Sequence, residues 1–184
     1  MQPPHTPSTD TIQAAIITRD GETRYRRRGA GRPVLLLATR PRRGPGVTAL
    51  FEELSRHVRV FAPIPPRRRG GKGPPPAFAP WLRGVIDGLG LARPAVVAEG
   101  AEGLRTLAFA MTDPERIDRL AIIVRDRTDS ALPAAVARDT LERSRHPLLV
   151  VRREMREGAS LTVDQVVRIV GFLSERAEPD RTSA

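Results

Sequence analysis

The sequence predicts an α/β fold with a mostly parallel sheet, an antiparallel start and helices on both faces. Short apolar runs typical of buried parallel strands alternate with stretches in which apolar residues recur every three or four positions, as in amphipathic helices. Asp20-Gly21 lies between two strand-like stretches and predicts a hairpin before the first buried run. The 184 residues suit a single domain, so we expect these elements to build one sheet.

The strands are predicted from runs rich in β-branched and apolar residues. Residues 11–18 and 22–28 flank the turn as an antiparallel pair, with Tyr25 expected to face inward. Five later runs are expected to form the rest of the sheet: 33–38, 58–62, 94–98, 118–124 and 147–151.

The helices are predicted from apolar positions at three- and four-residue spacing. Five stretches have this spacing: 47–56, 78–89, 101–111, 131–144 and 163–173. The inner face of the third helix is expected to consist of Leu104, Leu107, Ala108 and Met111. The last helix is expected to bury one apolar stripe, formed by Val163, Val166, Val167, Val170 and Leu173.

The domain is predicted to cover residues 10–176, between tails at 1–9 and 177–184 that we expect to be disordered. The first nine residues lack the basic start and apolar core of a signal peptide. No apolar run reaches about 18 residues, so no membrane span is expected. The chain has no cysteine, which excludes disulfides and thiolate chemistry. We therefore expect a cytoplasmic protein.

The chain is strongly basic, with a formal net charge of +10 that is carried almost entirely by arginine. Arg67, Arg68 and Arg69 form one basic cluster, inside a loop rich in Pro and Gly. The cluster predicts either an anion-binding site or a solvated loop. Few aromatic residues are available to stack on bases, so no specific binding of nucleic acid is expected.

One turn of the sequence carries most of the functional information. Residues 96–104 pass from an apolar strand through small residues into a helix. This order is typical of a nucleophile elbow, in which a sharp strand-to-helix turn presents a catalytic Ser within the pattern G-x-S-x-G. The corresponding positions here are Ala98, Gly100 and Glu102. Gly100 has no side chain, so the sequence predicts the turn without its nucleophile.

Four further stretches, together with this turn, resemble the α/β-hydrolase family over about residues 25–173. They are 29–37, 58–63, 89–94 and 110–120. The resemblance implies a backbone oxyanion hole, whose N–H donors would come from Ala38, Thr39 and Ala101. Ala38 and Thr39 replace the His-Gly that is usual after the third strand, but their backbone N–H groups remain.

The resemblance also implies a catalytic Asp and a catalytic His that this sequence does not supply. Met155 lies near the place expected for the Asp. Only nine residues separate Val151 from Leu161, too few for the helix, strand and loop that would carry the His, so that strand is expected to be absent. Residues 125–146 have room for one helix, which would form a minimal cap over the site.

Two groups of polar residues remain as candidates. Glu99 and Glu102 flank a predicted helix N-terminus, where they serve either as a nucleophile or general base or simply as helix-stabilising acids. The three histidines do not complete a triad. His5 lies in a tail, whereas His57 and His146 precede strands, at the edge of the sheet opposite to the usual site.

The sequence therefore favours a truncated, non-catalytic relative of α/β-hydrolases, which acts by binding a small molecule or a protein. A hydrolase of small ester-like substrates with a displaced catalytic group and an Arg-rich anion-binding module are the alternatives. No cofactor and no metal are predicted. A sheet edge without its last strand invites pairing, and a two-fold homodimer through the final helix is the simplest cover.

Overall fold

A computed structural model describes residues 10–19, 21–38, 45–64, 77–125, 146–153 and 161–175. These ranges contain seven strands: β1 Ile12–Thr18, β2 Gly21–Arg28, β3 Pro33–Ala38, β4 Arg59–Pro63, β5 Ala95–Glu99, β6 Leu120–Arg125 and β7 Leu148–Arg153. They also contain four α-helices: α1 Pro45–Ser55, α2 Phe78–Gly88, α3 Ala101–Thr112 and α4 Val163–Ser174. A 3₁₀ turn, Pro114–Arg116, follows α3.

All seven strands belong to one sheet with the order β1-β2-β4-β3-β5-β6-β7. The β1–β2 hairpin is antiparallel and β2 pairs antiparallel with β4. Every other pair is parallel. The predicted fold class is therefore confirmed: a mostly parallel sheet follows an antiparallel hairpin.

The two faces of the sheet build separate cores, because successive strand residues point to opposite faces. On β3, Leu35 and Leu37 pack with the residues of α2 and α3, whereas Val34 and Leu36 pack with those of α1 and α4. All four are at most 2% exposed. The near-continuous apolar run of β3 thus follows from coverage on both sides.

The helix α2 is held by four buried apolar residues and by one polar contact to the hairpin. The buried residues are Trp81, Leu82, Val85 and Ile86. The Trp81 Nε1–H donates to Thr23 Oγ1 at 3.1 Å. Thr23 is fully buried, whereas the predicted inward residue Tyr25 is half-buried, with its ring 6.0 Å from that of Phe61.

The inner face of α3 differs from the prediction. Only Leu107 of the predicted set is buried, whereas Ala108 and Met111 face solvent and Leu104 is half-buried. The face that packs on the sheet consists of Glu102, Gly103, Thr106, Leu107, Phe109 and Ala110. The prediction counted apolar side chains, and it failed because this face uses a glycine and two polar residues.

The N-terminus of α4 is fixed to the carboxyl end of β7. Thr162 Oγ1 accepts from the Gln165 N–H at 3.3 Å, and Gln165 Oε1 accepts from the Thr162 N–H at 3.0 Å, which together form a capping box. The Gln165 Nε2 group also donates to the Arg152 carbonyl at 2.6 Å. The start of α4 is therefore set by its own cap and by the neighbouring strand.

The C-terminus of α4 is held by a buried ionic cluster at the amino edge of the sheet, which we call the Arg32–Asp118–Arg119 clamp. Asp118 Oδ2 accepts from both arginines, with Arg119 Nε at 2.8 Å. Arg32 Nη1 donates to the carbonyls of Leu173 and Glu175 at 3.1 and 2.7 Å, and Arg119 Nη1 donates to that of Phe172. Guanidinium groups thus bind the carbonyls that the helix leaves unpaired at this end.

The predicted stripe of α4 is divided between core and surface. Val166 and Leu173 are buried, and Ile169, which the prediction omitted, is fully buried between them. Val163 and Val167 are 78% and 63% exposed, so their predicted burial was wrong. The valine stripe is wider than the surface that α1 and the sheet offer, because only one edge of α4 contacts them.

Some predictions fall outside the described residues: the tails 1–9 and 177–184, the helix at 131–144 and most of the cap segment 125–146. At the end of the sheet, β7 pairs with β6, and no strand in the described ranges pairs with its other side.

Candidate functional site

The strand-to-helix turn after β5 has the backbone geometry of a nucleophile elbow. Gly100 has a φ of 63° and a ψ of −135°, and it precedes the first turn of α3. Its N–H donates to the Ile123 carbonyl of β6 at 3.0 Å, and its carbonyl accepts from the Gly103 N–H at 2.9 Å. This conformation strains any residue with a Cβ, and it is the strained turn in which a catalytic Ser would be presented.

The start of α3 lies unusually close to the sheet because of Gly103. A Cβ on Gly103 would lie 2.5 Å from Ile122 Cγ2 of β6. No larger residue fits there unless the Ile122 side chain, the helix or the strand moves. The small residue after the turn therefore has a packing role, which brings the N-terminus of α3 down onto the carboxyl ends of β5 and β6.

The elbow lies where the strand order reverses, at the carboxyl ends of β3 and β5. Ala38, the last residue of β3, is in register with Glu99, the last residue of β5. Ala101 is the first residue of α3, so its N–H is among those without an acceptor inside the helix. Two of the three predicted oxyanion donors, Ala38 and Ala101, thus flank Gly100, whereas Thr39 lies outside the described residues.

Glu99 and Glu102 are both buried next to the elbow, with 2% and 7% exposure. By strand alternation, Glu99 follows Val97 onto the face that carries α1 and α4. Glu102 lies in the first turn of α3, on the face that packs on the sheet. The two carboxylates therefore leave the elbow in different directions.

The carboxyl of Glu102 has few polar partners. Its Oε1 lies 3.6 Å from Arg105 Nη1, on a side chain that is 61% exposed. Its Oε2 is buried and accepts no hydrogen bond from any residue that the structure describes. Burial raises the pKa of Glu102 above the ordinary value of a glutamate, and the nearby Arg105 reduces that rise. The group is therefore biased towards its protonated form.

The two described histidines, His57 and His146, lie at the end of the sheet opposite to the elbow. His57 precedes β4 and is 46% exposed, with its Nε2 4.0 Å from Glu53 Oε1. His146 precedes β7, at the same amino edge of the sheet. Their predicted location at the edge opposite to the elbow agrees with the structure. Neither can act as the base of a group at Gly100.

Several candidates lie outside the described ranges: the basic cluster Arg67, Arg68 and Arg69, the segment around Met155, and His5. Among the described residues, no group of three His, Cys, Asp or Glu side chains is arranged to hold a metal ion. No helix in the same ranges has both the length and the apolar character needed to cross a membrane.

Sequence reasoning missed the polar residues that support the start of α3. Thr106 is fully buried and its Oγ1 donates to the Glu102 carbonyl at 2.7 Å. The packing role of Gly103 was also missed. One face of α3 is formed by two pairs of residues four apart: Glu102 with Thr106, and Gly103 with Leu107. A search for helical spacing that included small and polar residues, as well as apolar ones, could have predicted this face.

Comparison with known proteins agrees with this architecture. No family model matches the chain. The 2-hydroxy-6-oxo-2,4-heptadienoate hydrolase of Pseudomonas putida is 36% identical to it, over 55% of this chain and 40% of that protein. The chain thus spans less than half the length of this curated relative.

Solved structures extend the likeness to the fold. The naproxen esterase (carboxylesterase NP) of Bacillus subtilis matches with a TM-score of 0.50 and 25% identity, over 63% of this chain and 44% of that one. A predicted CIB-like hydrolase of Thermoplasma acidophilum matches with a TM-score of 0.59 and 15% identity, over 90% of this chain and 99% of that one. Strand order, elbow and these likenesses together establish that the chain has the α/β-hydrolase fold.

Proposed function

We propose that the chain is a non-catalytic relative of α/β-hydrolases, which retains the elbow as a binding site for a small molecule or a protein. The observation that carries the proposal is Gly100, which has the elbow conformation but no side chain. Fold alone does not establish an activity, so the proposal depends on the groups at this site.

Acyl transfer by this kind of site needs a nucleophile, a base and oxyanion donors within mutual reach. Gly100 removes the nucleophile. His57 and His146 lie at the other edge of the sheet, so neither supplies the base. Of these three requirements, only oxyanion donors are retained, because the backbone N–H of Ala101 depends only on the start of α3 and on no side chain.

The remaining groups suit a ligand that accepts hydrogen bonds. Ala101 lies at a helix N-terminus, whose partial positive charge favours electron-rich groups. Glu102 adds no donor to this site, because its side chain is buried on the face of α3 that packs on the sheet. A carbonyl or ester oxygen fits the backbone donor better than a cation does.

A hydrolase with a displaced catalytic group is the second candidate. Glu102 favours it, because a buried carboxyl with a raised pKa is a common general acid. The curated relative and the solved neighbours described above are hydrolases by name. Against this candidate, Glu102 lies on the face of α3 that packs on the sheet, and its Oε1 lies 3.6 Å from the guanidinium of Arg105.

Hydrolysis of p-nitrophenyl acetate and butyrate tests the proposal. We expect no turnover by the natural chain above a heat-treated control, and no labelling by a serine-directed phosphonate. The variant Gly100→Ser restores the hydroxyl but not a base, so we expect it to remain inactive and unlabelled as well.

The same assay separates the two candidates. Turnover by the natural chain that is lost in Glu102→Gln or Glu99→Gln would reject the non-catalytic proposal in favour of a displaced acid or base. Activity that appears only in Gly100→Ser would show that a base is present and that the nucleophile alone has been lost. Binding is followed separately, by the NMR shift of the Ala101 amide on addition of p-nitrophenyl butyrate.

A further inference from the structure

The exposed side of α4 carries an apolar ridge. Val163 and Val167 are 78% and 63% exposed, and Gly171 is also exposed. These residues are four apart, so they lie along one row of the helix surface. The ridge borders a groove of about 750 Å³ between α4 and α1, which also contains Leu50, Val166 and Val170.

We propose that this face binds the same face of a second copy of the chain, as a two-fold homodimer with antiparallel α4 helices. A two-fold axis through Val167 brings Val163 of one copy opposite Gly171 of the other, because each lies four residues from the axis. The ridge is thus complementary to itself: an exposed valine at one end meets a position without a side chain at the other.

Gly171 supports this arrangement because its own chain does not require a glycine there. A Cβ at this position would meet nothing within 4 Å. A glycine inside an exposed helix costs about 1 kcal/mol relative to alanine. The open position instead leaves room for the Val163 side chain of a second copy.

The charges beside the ridge are also complementary to themselves. Asp164 and Arg168 are exposed on one flank, and neither forms an ion pair with any residue in the described ranges. In the antiparallel arrangement, Asp164 of one copy lies about 3 Å along the helix axis from Arg168 of the other, given the rise per residue. The symmetry forms this contact twice.

The described charged residues on the α1 side of the groove do not pair with Asp164 or Arg168. Just after α1, Arg56 Nη1 already lies 2.5 Å from Glu53 Oε2. The net charge of +10 repels two copies at long range, but physiological salt limits such repulsion to about 8 Å. The contacts along α4 therefore decide whether the copies associate.

Sedimentation equilibrium at micromolar concentration and physiological salt tests the inference. We expect a dimer of the natural chain, and a folded monomer of Val167→Glu whose circular dichroism is unchanged. Met111→Glu is the matched control, because Met111 is 49% exposed on α3, on the other face of the sheet. This control is expected to remain dimeric.

Charge reversal tests the pairing itself. Arg168→Asp places acids opposite acids, and we expect the dimer to weaken about tenfold, as two modest ion pairs become repulsive. The double variant Asp164→Arg, Arg168→Asp restores opposite charges and should recover the dimer. Gly171→Ala should raise the free energy of unfolding of the monomer yet weaken the dimer, because it fills the position that receives Val163.

Three results would overturn the inference. One is a natural chain that stays monomeric at micromolar concentration, with this face left to another segment or another protein. Another is a dimer that Val167→Glu and Arg168→Asp both leave intact, which places the interface elsewhere. The third is unfolding of Val167→Glu, which would show that Val167 belongs to the core of its own chain.

Discussion

A glycine at position 100 lacks two features that a serine would have in this turn, namely a nucleophilic side chain and backbone strain. With φ at 63° and ψ at −135°, a serine at this position would cost about 1–3 kcal/mol of backbone strain, which an enzyme tolerates in exchange for a well-placed nucleophile. A glycine adopts the same conformation without a side-chain clash. The turn therefore keeps the shape of an elbow at Gly100 without the backbone strain that a serine would bear there.

Glu102, in contrast to Gly100, keeps a polar side chain whose burial lowers the stability of the fold. Its carboxyl is buried next to Gly103, where α3 packs against Ile122 of the sheet. Desolvation disfavours its charged form and raises its pKa. The effect on stability has a definite sign, and it depends on pH.

Replacement of Glu102 by Gln is expected to stabilise the fold at neutral pH. In the unfolded chain the carboxyl loses its proton at the ordinary glutamate pKa, whereas the folded chain holds that proton to higher pH. Stability therefore falls as pH rises from the ordinary to the raised pKa, and the full cost remains above it. Glutamine does not ionise and escapes this cost.

Urea unfolding at a series of pH values measures the effect. The free energy of unfolding of Glu102→Gln should exceed that of the natural chain above the raised pKa, and the difference should vanish below the ordinary glutamate pKa. Glu115→Gln, at an exposed residue of the 3₁₀ turn, is the matched control and should show no such trend. A difference that is independent of pH would show that the carboxyl is not desolvated.

At the level of elements, α4 is held at both ends by different chemistry. The capping box at Thr162 and Gln165 fixes its start. The Arg32–Asp118–Arg119 clamp fixes its end, with Arg119 only 1% exposed and its guanidinium 5.4 Å from the Phe172 ring. Since β7 has no further strand beside it in the described ranges, these two attachments and one apolar edge hold α4 on the sheet.

The clamp should therefore be sensitive to loss of one charge. Asp118→Asn keeps the shape but removes the carboxylate that both guanidinium groups share, which leaves Arg119 with the exposed Glu175 carboxylate at 3.5 Å. We expect a loss of about 3 kcal/mol in the free energy of unfolding, as for other broken buried pairs. Faster hydrogen exchange of the α4 amides should accompany it, because Arg32 and Arg119 hold the last carbonyls of that helix.

A surface pair provides the control for the clamp. Arg83 Nη2 lies 2.8 Å from Asp113 Oδ2, but Arg83 is 48% exposed. Asp113→Asn should cost less than about 1 kcal/mol, as is typical of exposed ion pairs. If both Asn variants cost the same, the clamp would not be the attachment that its burial suggests.

The sequence predicted the existence of the described elements better than the faces they bury. Each described strand and helix begins within two residues of its prediction, because apolar runs and helical periodicity are local properties. The predicted inner faces of α3 and α4 were right only in part, because burial depends on what lies opposite each residue. Gly103 faces Ile122, whereas Val167 is left 63% exposed, and neither fact is visible along the chain.

The same limit applies to the candidate site. The turn at Gly100 was predicted from its local order of strand, small residues and helix. The burial of Glu99 and Glu102 and the raised pKa of Glu102 depend on strands that are distant in sequence. The clamp joins Arg32 to Asp118, 86 residues apart, so only the folded sheet reveals it.

For the molecule as a whole, the net positive charge raises the question of whether the surface binds polyanions. The net charge of +10 comes from 31 basic against 21 acidic residues. Many described arginines already have local partners: Arg24 pairs with Glu22, Arg83 with Asp113 and Arg116 with Asp87. Such pairs reduce the positive field that an external polyanion would meet. The cluster Arg67, Arg68 and Arg69, which lies outside the described residues, stays a predicted candidate for anion binding.

Binding to duplex DNA distinguishes a general basic surface from an anion-binding module. If the charge is only a property of composition, the complex should be weak and independent of sequence. Its affinity should fall steeply between about 50 and 200 mM salt, because each neutralised phosphate releases counterions. Fluorescence anisotropy with two duplexes of unrelated sequence measures both features. The variant Arg67→Ala, Arg68→Ala, Arg69→Ala should bind only slightly less well, because it removes three positive charges among many.

A tight complex that persists at the higher salt concentration and is abolished by this triple variant would instead identify residues 67–69 as a dedicated anion site. The binding function would then belong to that loop and not to the elbow.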